Sequence, residues 1–178
     1  TQTQALDGTS VTFDRTTPTI PTRTILSNNA NTAYAKVADV LTITLVALED
    51  IATPTVLLGG DAATVAQGAT ASNWTATKTM DNADTEGSVT ISIAFADLAG
   101  NAGVTLTSSS DGNNVTFDRS LPTITTATIA SNNATDDILA VPGNVVTLTL
   151  VSSEDIQTPA ITIATQTATV SAGVDAKN

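Results

Sequence analysis

Neither cysteine nor histidine occurs among the 178 residues, and lysine plus arginine number 6 against 17 acidic residues. Their absence excludes a zinc site of the usual ligand set, a thiol nucleophile and a Ser-His-Asp triad. Any general base working near neutral pH would have to be a carboxylate. Six cations in a chain of formal net charge -11 cannot neutralise a row of phosphates, so neither nucleic acid nor an anionic membrane surface is an expected partner. Aromatic residues are 3% of the chain, with one Trp and one Tyr, too few to build a sugar-stacking cleft. Thr, Ser or Asp interrupts every apolar run within a few residues, so no stretch reads as a bilayer-spanning helix. A chain without cysteine fits the cytosol and also fits surface proteins that fold without disulfides, so cysteine usage leaves the compartment open.

What the chain has in abundance is hydroxyl. Counting gives 36 Thr and 13 Ser, and β-branched Thr sits well on a pleated surface half exposed to water. Glu, Lys and Arg, the polar helix formers, are scarce, and the composition predicts an all-β protein.

An internal repeat organises the sequence. Asp7-Gly8-Thr9-Ser10-Val11-Thr12-Phe13-Asp14-Arg15 followed by Pro18-Thr19-Ile20 returns as Asp111-Gly112-Asn113-Asn114-Val115-Thr116-Phe117-Asp118-Arg119 followed by Pro122-Thr123-Ile124, an offset of 104. Ser27-Asn28-Asn29-Ala30 returns as Ser131-Asn132-Asn133-Ala134 at the same offset, whereas Glu49-Asp50-Ile51 and Thr53-Pro54 return at 105 as Glu154-Asp155-Ile156 and Thr158-Pro159. One residue is therefore inserted between them, and Pro142-Gly143 is the expected place. The frame predicts residues 1–16 as the last strand of a preceding repeat, 17–120 as one complete domain and 121–178 as the first part of a following one. Such a frame suggests a window on a longer array, or a subunit completed by a neighbour's strand.

Period-two alternation predicts the strands of the complete unit. Leu41, Ile43, Leu45 and Ala47 share one face, as do Val89, Ile91, Ile93 and Phe95, and Trp74, Ala76 and Met80. Strand A is expected near Thr19–Leu26, B near Val37–Ala47, C near Thr55–Leu58, D near Ala62–Ala66, E near Asn73–Met80 and F near Ser88–Ala96. Strand G is expected in two pieces, Val104–Thr107 and Asn114–Asp118. Turn residues fall between them, among them Gly59-Gly60-Asp61 and Ala99-Gly100-Asn101. Seven short strands in about a hundred residues is the profile of an immunoglobulin-like sandwich without its disulfide. Prolines in the short linkers Arg15–Pro18 and Arg119–Pro122 are expected to limit bending between units.

Val11-Thr12-Phe13-Asp14 before Pro18, Glu49-Asp50-Ile51 before Thr53-Pro54, Trp74-Thr75-Ala76-Thr77, and Phe95-Ala96-Asp97-Leu98-Ala99-Gly100-Asn101 together resemble the bacterial Ig-like tandem domains of large surface proteins and adhesins. The resemblance covers the complete unit and most of both partial ones. It implies an extracellular stalk or filament whose partners are neighbouring Ig-like repeats, with glycans or a host surface as further partners. It names no ligand.

In an Ig-like topology the B–C and F–G loops share a pole with the start of strand A. Glu49, Asp50, Asp97 and Asn101 should therefore converge on Asp14, with Asp118 and Glu154 as the matching positions at the next junction. Hard oxygens gathered there suit calcium, and the resemblance implies calcium at such junctions. The same residues also read as turn formers, Asp97 and Asn101 bonding their own backbone and Asp14 capping the strand before Pro18. A glycosidase carboxylate pair is the enzymatic version, but a repeated domain would duplicate it in every unit and the stacking aromatics are missing. Asn73, Asn114 and Asn133 begin Asn-x-Ser/Thr sequons, about as many as chance predicts for this composition, and solvated hydroxyls need no glycans to explain them. With no exposed aromatic cluster or lengthened loop evident, a structural extender is expected ahead of a binding module and no catalysis is expected.

Overall fold

A computed structural model describes residues 9–173. Contacts divide the chain into two compact units, with the boundary between Arg119 and Ser120. Every regular element among the described residues is a strand.

The first unit contains β1 (Thr22–Ser27), β2 (Tyr34–Ala35), β3 (Val40–Val46), β4 (Thr55–Leu58), β5 (Asp61–Ala62), β6 (Thr64–Gln67), β7 (Asn73–Thr79), β8 (Gly87–Ser88), β9 (Ile91–Ala94) and β10 (Thr116–Phe117). Antiparallel pairing builds a four-stranded sheet in the order β1-β3-β7-β6, in which Ile43 lies between Ile25 and Ala76. A second sheet runs β5-β4-β9, and a third joins β2, β10 and β8, with β10 parallel to β2. The alternating residues meet in a single core: Leu41, Ile43 and Leu45 of β3, Trp74 and Ala76 of β7, Ile91 and Ile93 of β9, and Val115 and Phe117 at β10 are all buried. The Trp74 indole, buried with the rest, donates Nε1–H to Ala71 O at 2.7 Å, so its one polar atom is satisfied.

Long-range packing redraws three expected elements. The expected strand D is two strands in different sheets: β5 pairs with β4, and β6 pairs with β7, so the chain changes sheets at Ala63. Strand F is interrupted between β8 and β9, and the first piece of G is reduced to one bridge, Leu106 to Ile93. Pro18, expected in a linker, is fully buried in the first unit. The carbonyl of the next residue, Thr19, accepts from Leu48 N at 3.1 Å, and this ties the entry segment to the end of the β3 arm.

The second unit holds β11 (Ile124–Ser131), β12 (Val146–Ser152), β13 (Thr162–Ile163) and β14 (Gln166–Thr167), in two antiparallel pairs. Its first loop repeats the hydrogen bonds of the first unit. Asn29 N donates to Ser27 Oγ and Asn133 N to Ser131 Oγ; Val40 N donates to Asn28 Oδ1 and Val145 N to Asn132 Oδ1. These bonds also relocate the inserted residue. Asn31 N on Asn29 Oδ1 matches Thr135 N on Asn133 Oδ1 at offset 104, but Ala33 N on Asn31 Oδ1 already matches Ile138 N on Asp136 Oδ1 at 105. The insertion therefore precedes Asp136 instead of lying at Pro142-Gly143, and Gly143 (φ 97°) takes the left-handed place of Ala38 (φ 73°).

The hairpin turns make the same comparison. Gly59 and Gly60, at φ 67° and 95°, join β4 to β5 as a two-residue turn that needs two positive φ angles. The matching residues between β13 and β14 are Ala164 and Thr165, at φ 47° and 68°. A β-branched residue is strained there, so Thr165→Gly is expected to stabilise the second unit by about 1 kcal/mol, read as a rise in its denaturation midpoint.

Candidate functional site

The turn after β9 is built by its own side chains. Asp97 N donates to Asn101 O at 3.1 Å and Gly100 N to Asp97 O at 3.2 Å, while Gly100 takes φ 94° to let the chain reverse. Asn101 then grips the Asp97 carboxylate twice, through its backbone N at 2.8 Å and its Nδ2 at 2.7 Å. Just beyond the turn, Gly103 lies against the Phe95 ring, where an added Cβ would fall 2.3 Å from a ring carbon.

Two other segments reach this turn. Ile51 bridges Asp97, and Ala52 N donates to Ala96 O at 2.9 Å; this clamps the loop that carries Glu49. Asp14 arrives from the entry segment, its carbonyl 3.4 Å from Asn101 Nδ2 and its Oδ1 accepting from Thr16 N at 2.9 Å. Carboxylate oxygens of Asp14, Glu49 and Asp97 consequently all lie within 4.8 Å of one another, with Asp97 buried and the other two half-buried. Oxygens bound to one calcium at 2.3–2.6 Å can be no more than about 5 Å apart, so these three hard donors fit that ion. Asp50 is exposed and lies outside the cluster. Asn101 acts on the carboxylates by positioning Asp97 and linking it to the Asp14 backbone.

The Asn101 side-chain amide, foremost, holds the Asp97 carboxyl below its ordinary value of 3.8; burial opposes this, and backbone N–H groups of Asn101, Gly100 and Ala99 add to the lowering. A depressed carboxyl contributes stability above its unfolded pKa and loses it as pH falls through the folded one. Asp97→Asn should therefore lower the melting temperature at neutral pH. The gap from the unsubstituted chain should close as pH drops below about 3.8, which parallel melts across pH would record.

The matching positions are placed as follows. Asp118 N donates to Ala35 O at 2.8 Å and ends β10. In the second unit Glu154 O accepts Ser152 Oγ at 2.5 Å. The sequon asparagines have structural bonds: Asn73 Nδ2 donates to Thr70 Oγ1, Asn114 Nδ2 to Ser88 Oγ, and Asn133 Oδ1 accepts from Thr135 N.

One cluster escaped the reading of the sequence. Lys78 Nζ lies 2.7 Å from Asp61 Oδ2 and 2.8 Å from Asp84 Oδ1, and the Lys78 and Asp84 side chains are only 10% and 2% exposed. The signal was present in the phase of β7, since Lys78 falls in register with Trp74, Ala76 and Met80.

Searches against protein-family models, curated proteins and solved structures find no match to this chain.

Proposed function

We propose that the chain is part of a structural extender: Ig-like repeats in series, without catalysis, in an extracellular stalk or filament. The observation that carries this reading is the loop scaffold written twice, with Ser27, Asn28 and Asn29 bonded as Ser131, Asn132 and Asn133 are. A scaffold repeated with its internal bonds adds length, whereas new chemistry needs residues that differ. The order β1-β3-β7-β6, with β4 and β9 bridged onward to Leu106, supports the Ig-like assignment, because it is the A-B-E-D and C-F-G arrangement of that sandwich. The sole Trp is 5% exposed and serves the core, which favours an extender over an adhesive or carbohydrate-binding module.

Force–extension measurement on the chain tests the proposal. An extender resists load and then gives one discrete step as the first unit unfolds. With about 100 residues at ~3.5 Å each, the contour gain should be on the order of 350 Å before the folded length is subtracted. Gradual lengthening at low force would overturn it.

The acidic cluster favours one addition, a calcium ion on Asp14, Glu49 and Asp97 that ties the entry segment to both loops. An extracellular site with Kd of ~10⁻⁴ M in 10 mM calcium would gain about 2.7 kcal/mol. The first unit should melt higher in calcium than in chelator, and Asp97→Ala should erase the difference. Equal melting in both solutions would leave these acids as turn formers.

A further inference from the structure

We infer that Arg23 and Ser110 form a mechanical latch, the contact that sets how long the first unit holds under load. The inference rests on the extender reading and adds to it the residues that carry the force. Arg23 lies in β1, in phase with buried Ile25 and Ser27, and is itself half-buried. Its guanidinium works across the fold: Nε donates to Ser108 O at 2.7 Å and Nη1 to Ile20 O at 3.0 Å. Its backbone is held at the same place. Arg23 N donates to Ser110 Oγ at 2.9 Å, while Ser110 N and Oγ donate to Arg23 O at 2.8 and 3.0 Å. These bonds join β1 to a turn 85 to 87 residues further along the chain. That turn is fixed from within, since buried Ser109 Oγ donates to Asn113 O at 2.5 Å and Asn113 donates twice to the Asp111 carboxylate.

The same two stretches meet again further on, where Thr116 N donates to Ala33 O and Asp118 N to Ala35 O. Residue 23 thus meets 110, 33 meets 116 and 35 meets 118, so the first and last arms of the unit run parallel, as β2 and β10 do. Direction decides how such contacts fail. Load enters the first arm at its N-terminal end and leaves the last arm at its C-terminal end, and in parallel arms those ends lie at opposite extremes of the contact. The arms must slide past each other, and their bonds yield together; antiparallel arms would unzip one bond at a time. Arg23 suits the task because its planar fork holds two carbonyls at once and its charge strengthens each bond. The fold itself does not demand an arginine. Ala127 takes the equivalent place in the second unit, opposite Leu150 as Arg23 is opposite Leu45.

Constant-force measurement on the 178-residue chain, tethered by its ends, tests the latch, because forced unfolding reads the unfolding rate. Arg23→Ala and Ser110→Ala each remove two of the side-chain bonds, and each should raise the rate of the first unit's step at a given load about tenfold. Ser110→Ala takes away only an exposed hydroxyl, so it tests the latch even where Arg23→Ala unfolds the unit. Leu58→Ala is the contrast: Leu58 is fully buried in β4, which pairs with β5 and β9 and with neither arm. It should lower the melting temperature more than either latch variant, yet leave the rate under load within about threefold, because its packing persists until the arms have parted. A rate unmoved by both latch variants, or moved as much by Leu58→Ala, would overturn the inference. A discrete step indifferent to Arg23 and Ser110 removes the latch and leaves the extender, whereas gradual lengthening of the unsubstituted chain removes the extender itself.

Discussion

Asp84→Ala should destabilise the first unit by about 3 kcal/mol, because removing one member of a buried ion pair strands the other. Lys78 would keep only Asp61, whose side chain is 67% exposed, and Asp81 N would lose its 2.7 Å acceptor on Asp84. Thermal melts should register a fall of roughly 10 to 20 °C for a domain of this size. Asp61→Ala, acting on an exposed partner, should cost no more than about 1 kcal/mol. Two similar losses would mean that the buried position of Asp84 does not set the energetics.

The pH range of this cluster follows from its two shifts. Burial pushes Asp84 up, but the hydrogen bonds from Lys78 and Asp81 N outweigh it and leave the carboxyl below 3.8. Burial likewise pushes Lys78 down, and its bonds to Asp61 and Asp84 outweigh that and leave the amine above 10.5. Asp84's contribution is therefore present above its unfolded value and lost as pH falls through its folded one. The Lys78 contribution is present below its unfolded value and lost as pH rises through its folded one. Between roughly 4 and 10 the Asp84→Ala deficit should be flat with pH.

Phe117→Ala should cost about 4 kcal/mol, whereas Phe13→Ala, the same change in the same local sequence, should stay within about 0.5 kcal/mol. Phe117 is fully buried against the β2 edge and Phe13 stands in water, so only the first leaves a cavity. Denaturant midpoints at micromolar chain concentration would measure both. A large loss at Phe13 under dilute conditions would place that ring inside the first unit.

Much of the first unit can be read from the alternation of its residues. Leu41, Ile43 and Leu45 share a face because successive side chains in a strand point to opposite sides, and no distant contact is needed to know it. Gly59-Gly60 specifies its hairpin and Asp97-Leu98-Ala99-Gly100-Asn101 its turn for equally local reasons, namely left-handed φ at glycine and a short side chain returning to its own backbone. The convergence of Asp14, Glu49 and Asp97 could be anticipated once the loops were assigned to one pole, but the 4.8 Å spacing depends on the Ile51 bridge and on Asn101 reaching Asp14.

Other features needed the tertiary structure. The change of sheet at Ala63 is fixed by which strand is free to pair on each side, and Lys78 faces inward only because Asp61 and Asp84 arrive from other segments to neutralise it. The repeat makes the division plain. Pro18 and Pro122, Ile25 and Ile129, and Phe117 and Phe13 are equivalent in sequence, yet the first of each pair is buried and the second exposed. Sequence by itself determined which face of each strand is apolar, because that follows from the two-residue period of a single segment. Whether that face is covered was decided by strands far away in the chain, because burial belongs to a pair of surfaces and the alternation of one strand specifies only its own.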